Sequence, residues 1–108
     1  MSVVKKIEDV LPVISRTGKI VFGRNNVLWA LKYEPNKIKL ILLSKNTPPG
    51  LEEEISKILS RKELPIKVLK SRKSNLELGS LCRRPHSVSV VAIYDFGSAP
   101  LDEEVLNV

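Results

Sequence analysis

Hydrophobic positions along this chain alternate between two spacings, and the switches divide it into helices and strands in turn. Val3, Val4, Ile7, Val10, Leu11 and Ile14 recur at helical intervals, which predicts an amphipathic helix over 3–16. Pro12 falls inside it, so a kink or a fresh start after Asp9 is expected. Thr17-Gly18 then stops the helix, and Lys19-Ile20-Val21-Phe22, bounded by glycines, reads as a short buried strand. Gly23-Arg24-Asn25-Asn26 opens a second helix, with one of the two asparagines as its N-cap. Its body runs from Val27 to about Tyr33 and ends before Pro35. Lys37 to Leu43 carries an almost continuous apolar run, the pattern of a central strand covered on both faces.

Lys45-Asn46-Thr47-Pro48-Pro49-Gly50 is a loop by composition. A third helix is predicted over Leu51–Lys62. Glu52, Glu53 and Glu54 sit in its first turn and Lys57, Arg61 and Lys62 towards its end, matching the helix dipole. Leu51, Ile55, Ile58 and Leu59 form its inward stripe, and Pro65 leads into a strand over Ile66–Leu69. Ser74-Asn75-Leu76-Glu77 has capping-box spacing, which starts a short fourth helix that buries Leu78, Leu81 and Cys82. Arg83-Arg84-Pro85-His86 breaks it, and Ser87 to Asp95 forms the last strand. Gly97-Ser98 turns the chain into an acidic tail, from about residue 99, with little regular structure. Strand and helix alternating in this way predict the α/β class, a sheet with helices on both faces.

The 108 residues suit one domain over 1–108, and 43% hydrophobic content is enough for a core. No apolar run approaches the roughly 18–20 residues of a membrane span. Acidic residues stand near the N-terminus where a signal peptide would be apolar, so a cytosolic protein is expected.

Charge changes the picture more. Lys and Arg number 18 against 12 Asp and Glu, giving a net charge of +6 and a pI near 9.6. Between Arg61 and His86 there are eight basic residues and two acids, whereas from Asp95 onward there are four acids and no base. Such an excess serves either as solubilising surface or as a match for an anionic partner; its clustering favours nucleic acid.

The chemistry for catalysis is sparse. Cys82 and His86 are the single cysteine and histidine, too few for an internal disulfide or a four-ligand zinc site. As a nucleophile–base pair they are split by Arg83, Arg84 and Pro85, and Cys82 reads as a small core residue. No Walker loop or dinucleotide fingerprint is present. No enzyme activity, cofactor, metal or small-molecule substrate is expected.

Three polar loops hold more donors than a connection requires. Gly23-Arg24-Asn25-Asn26 joins a strand to a helix start, whose free N–H groups and partial positive charge suit a phosphate or base edge. Asn25 could read a purine edge, or the asparagines could simply cap the helix; spacing leaves both open. Lys45-Asn46-Thr47-Pro48-Pro49 again follows a strand, and its prolines stiffen it. In Arg83-Arg84-Pro85-His86-Ser87-Val88, the arginines can bind phosphate and Pro85 fixes a turn. His86 could stack on an unpaired base or simply be solvated. Trp29 and Tyr33, four apart on helix two, read as core or partner contacts rather than RNA-stacking surfaces.

At these loops the sequence resembles a known family. Thr17-Gly18-Lys19-Ile20-Val21-Phe22-Gly23 is similar to the opening signature of the archaeal and eukaryotic large-subunit ribosomal proteins numbered thirty in the e-type series. Lys39 to Leu43 with Asn46-Thr47-Pro48 resembles that family's second strand and loop. Glu77-Leu78-Gly79-Ser80-Leu81-Cys82, then Arg84-Pro85-His86, Val88 to Ile93, and Asp95 with Gly97-Ser98, resemble its C-terminal signature. The likeness runs from about Ile7 to Ser98, with three motifs in order.

The resemblance implies a three-layer α/β/α sandwich around a four-stranded mixed sheet, within the wider kink-turn-binding superfamily. It also implies that the three loops share one edge. Gly23, Arg24, Asn25 and Asn26 then correspond to residues that meet the sheared G·A pairs of a kink-turn. Asn46 and Thr47 match the second contact loop, and Arg84, Pro85, His86 and Val88 the third, where an aromatic residue or a histidine packs against a flipped-out base; Lys45 and Arg83 beside them are further candidates for RNA contact. Three departures stand out. Arg83 replaces a usual glycine, Tyr33-Glu34-Pro35-Asn36 replaces a glycine turn, and Trp29 stands where lysine is frequent.

The function so implied is a structural constituent of the large ribosomal subunit that binds kink-turn rRNA. Its partners would be rRNA and neighbouring ribosomal proteins, and it would be a monomer when free. The alternatives are a kink-turn subunit of a box C/D or ribonuclease P particle, or a basic protein-interaction module. The former tend to carry Asn-Glu where this chain has Asn25-Asn26.

Overall fold

Side-chain alternation along two strands explains the layering. The computed structural model describes residues 3–98; the side chains of Val3 and Val4 and the acidic tail lie outside the described residues. Strands β1 (Lys19–Phe22), β2 (Leu40–Leu43), β3 (Lys67–Lys70) and β4 (Val90–Asp95) form one sheet in the order β1-β4-β2-β3. β4 runs antiparallel to both neighbours, and β2 and β3 are parallel, so the sheet is mixed.

Leu40 and Leu42 of β2, with Val91 and Ile93 of β4, point to one face. There they meet Ile7, Leu11 and Ile14 of helix α1 (Val3–Thr17), Leu78 of α4 (Asn75–Leu81) and Cys82, which caps that helix. Ile41 and Leu43, with Val90, Ala92 and Tyr94, point to the other. They are covered by Val27, Ala30 and Leu31 of α2 (Arg24–Tyr33) and Leu51 and Ile55 of α3 (Pro49–Lys62). The result is a three-layer α/β/α sandwich, and the central strands are apolar on both sides because both sides are covered.

Several boundaries differ from the sequence reading. α1 is continuous through Pro12, so no new helix begins after Asp9. The N-cap of α2 is Gly23, not an asparagine. Asn25 and Asn26 lie inside the first turn, and the Asn26 amide donates back to the Phe22 carbonyl at 3.1 Å. Residues Pro35–Lys37 wind a 3-10 turn, which shortens the second strand from Lys37 to Leu40, although the Lys39 N–H still bonds to Ile93 at 2.8 Å. α3 starts at Pro49, because proline is favoured where a helix needs no donor; this leaves Glu52 as the acid of its first turn. The last strand starts at Val90 rather than Ser87, because the Val88 N–H is drawn to the Asn75 carbonyl at 2.9 Å.

Candidate nucleic-acid interface

The topology gathers the three loops. β1 and β2 both end, and β4 begins, at the same end of the sheet, where Phe22 pairs with Val91 and Leu43 with Val90. The Gly23 N–H donates to Val90 at 3.1 Å, and the Ser44 N–H to Ser89 at 2.8 Å, so the first two loops both lean on the start of β4. A cleft of about 430 Å³ is lined from all three loops, by Gly23, Arg24 and Asn26, by Pro48, and by His86 to Ser89.

Each loop is fixed by local chemistry. Gly23 has φ 92° and ψ 148°, a backbone that L side chains rarely adopt. It gives α2 no side-chain cap, so Gly23 offers the first-turn N–H groups no side-chain acceptor. Arg24 and Asn26 are exposed and border the cleft, and Arg24 also pairs with Glu54 at 3.1 Å. Asn25 is exposed too, but it lines the neighbouring groove between α2 and α3.

In the second loop, Thr47 is only 6% exposed. Its hydroxyl bonds the Ser44 carbonyl at 2.8 Å and the Ser89 carbonyl at 3.0 Å, so it holds the loop rather than facing solvent. Asn46 is exposed but engaged. Its amide donates to the Asn75 side chain at 3.1 Å, and its oxygen accepts from the Asn75 N–H at 2.9 Å. Lys45 is exposed, with its N–H bonded to Lys73 at 2.8 Å.

The third loop begins where α4 ends. The Arg84 N–H bonds the Gly79 carbonyl and the Arg83 N–H the Ser80 carbonyl, both at 2.9 Å, which is the Schellman pattern. Arg83 takes the left-handed position, φ 61°, that glycine usually fills. The backbone expected of a glycine is thus kept, with an exposed cation added. Arg84, Pro85 and His86 are exposed, whereas Val88 is 2% exposed and anchors the loop to the core.

Phe22, predicted from the sequence only as a strand residue, is central to this loop. The Arg84 guanidinium lies 4.7 Å from its ring centroid, and the His86 ring packs against it at 5.7 Å and 38°. Gly79 is a second omission: a Cβ there would collide with the His86 carbonyl, so only glycine lets α4 support the loop. Asn75 is a third, since it joins loop two to loop three through Asn46 and Val88. Position could have flagged Phe22, the last strand residue before Gly23; Asn75 was legible only as part of a capping box.

Cys82 is fully buried behind the loop, and burial pushes its thiol up to about 11 while Arg84 pulls the other way. Its carbonyl accepts from Ser15 at 2.7 Å. Trp29 and Tyr33 are 53% and 62% exposed, which overturns the expectation that they could be core.

The model of the Ribosomal protein L7Ae/L30e/S12e/Gadd45 family matches residues 5–101. The chain belongs to this family. Among its L7Ae-family relatives is the large ribosomal subunit protein eL30 of Methanosphaera stadtmanae, 31% identical over 90% of this chain and 95% of that protein. Those of Sulfolobus acidocaldarius and Aeropyrum pernix are 31% and 32% identical, each over 96% of both chains. A protein of unknown function from Bacillus halodurans has a similar fold, with TM-score 0.67 at 16% identity, covering 96% of this chain and 91% of that one.

Proposed function

We propose that this chain is a structural constituent of the large ribosomal subunit and grips a kink-turn in rRNA with the loop end of its sheet. Supporting this reading is the cleft bordered by all three loops, with Arg24, Arg84 and His86 on its walls or rim. The first-turn N–H groups of α2 and the Asn26 amide meet the purine edges of the sheared G·A pairs. Lys45, Arg83 and Arg84 take backbone phosphates, and His86, supported by Phe22, packs on a flipped-out base. Thr47, Val88 and Asn46 set the loops rather than touching RNA directly. Binding is by shape and base edge, without chemistry on the RNA. The free protein is a monomer; in the cytoplasm it works on the ribosome beside neighbouring ribosomal proteins.

Electrophoretic mobility shift tests the reading. A kink-turn RNA binds, and replacing its G·A pairs with Watson–Crick pairs weakens binding by tenfold or more, on the order of 1.4 kcal/mol. Equal affinity for both RNAs would defeat the kink-turn assignment. Arg84→Ala lowers the salt slope, log K against log salt, by about 0.7–0.9, as one lost phosphate contact requires.

A further inference from the structure

A second surface lies beside the loops, between α2 and α3. It is a groove of about 600 Å³ whose walls include Trp29, Lys32, Tyr33, Ile58 and Arg61. Its aromatic residues are the odd feature. Trp29 and Tyr33 are 53% and 62% exposed, one helical turn apart, with ring centroids at 5.4 Å and planes at 46°. Large rings left in water cost solvation that folding could have removed, so an exposed pair marks a contact surface. Cations flank it: the Lys32 ammonium stands 5.5 Å from the Tyr33 centroid, and Arg61 lines the facing wall. The acid on the groove, Glu54, is already paired with Arg24 at 3.1 Å.

We propose that this groove binds a single-stranded stretch of RNA, stacking unpaired bases on Trp29 and Tyr33 and placing phosphates against Lys32 and Arg61. The proposal extends the kink-turn reading but does not depend on it. A nucleotide carries a flat π-face and a negative charge in one unit, which is the pairing of features this groove offers. Continuity supports the same occupant: Asn25 lines the groove while its neighbours Arg24 and Asn26 border the loop cleft. RNA held at the loops can therefore run on along α2. A second copy of the chain fits poorly, since a symmetric contact would bring two grooves lined by Lys32 and Arg61 together, cation facing cation.

Trp29 is the single tryptophan, so its emission reports on this groove directly. The intact chain is titrated with a single-stranded hexaribonucleotide of mixed sequence, and with polyglutamate at matched charge. The expected result is quenching of Trp29 by the hexanucleotide and little by polyglutamate. Tyr33→Ala should weaken hexanucleotide binding about five- to tenfold, and Arg61→Gln should weaken it further in a salt-sensitive way. Both sites are on the surface, and far-UV circular dichroism checks that the variants remain folded. Arg84→Ala, which strikes the loops, should leave the hexanucleotide titration unchanged while weakening kink-turn binding, so the two readings fail separately. Absence of quenching, equal quenching by polyglutamate, or an unaltered affinity in Tyr33→Ala would overturn the proposal.

Discussion

Two residues accept an unfavourable backbone at helix ends. Arg83 after α4 and Glu63 after α3 both have positive φ, 61° and 52°, at positions where glycine costs nothing. The α3 end repeats the α4 pattern: the Leu64 N–H reaches Leu59 at 3.1 Å and the Glu63 N–H reaches Ser60 at 3.3 Å. Glu63 is remote from the loops, so Glu63→Gly should raise stability by about 0.5–1 kcal/mol and leave RNA affinity unchanged. Arg83→Gly should gain similar stability but weaken RNA binding, because it deletes a rim cation. Urea unfolding paired with mobility shift separates the two effects; a loss of stability in either variant would contradict the strain argument. At Arg83 the strained backbone coincides with an exposed cation at the loop rim, and at Glu63 it does not.

Among elements, α4 has a task beyond its 7 residues. Its N-terminus carries Asn75, which binds the second loop, and its C-terminus launches the third. Gly79→Ala should therefore destabilise the fold by about 1–3 kcal/mol, through collision with the His86 carbonyl, despite the better helix propensity of alanine. Gly50→Ala, with nothing near its Cβ, should be neutral or mildly stabilising, and thermal unfolding of the pair gives the comparison. The capping box is intact, with the Ser74 N–H donating to Glu77 at 3.2 Å and the Glu77 N–H to the Ser74 hydroxyl at 3.2 Å. The Ser74 backbone N–H, chiefly, holds the Glu77 carboxyl below its ordinary value. A depressed carboxylate adds stability that is complete above the unfolded pKa, about 4.3, and disappears as pH falls through the folded one. Glu77→Gln should thus be less stable than the parent at pH 6, with the gap closing as pH falls below the ordinary carboxylate range. A constant gap across that range would refute the linkage.

Most elements were legible because period and punctuation agree: glycines bracket β1, a capping box starts α4, and the apolar run of β2 announces two covered faces. The errors came where tertiary contacts decide. Nothing local says that Asn75 will pull Val88 out of β4, or that Gly23 will cap α2 in place of an asparagine. For the site, residue types marked the loops, but burial sorted them. Thr47 and Val88 turned inward, Asn25 faced the next groove, and Phe22 entered from a strand.

At the scale of the molecule, distant segments are tied by buried polar contacts as well as by the two cores. Glu8 of α1, 6% exposed, accepts from the Ser71 hydroxyl and from the Arg72 N–H, the latter at 3.0 Å. It anchors the turn between β3 and α4, and hence the base of the loop platform. Glu8→Ala should cost about 1–3 kcal/mol by orphaning those donors, and amide exchange should quicken at Arg72 in particular. Unchanged exchange there would argue against the tether.

The place of β4 has a further consequence. It is the last of the described strands to be made, yet it sits between β1 and β2 and joins them. Until residues 90–95 have left the ribosome that is making the chain, the earlier strands have no shared partner, and β1 has none at all. Two of the sheet's three seams close only then, over long sequence separations that slow folding. A nascent chain cut short before Val90 would lack its keystone, and the loops that lean on the start of that strand would have nothing to hold them together.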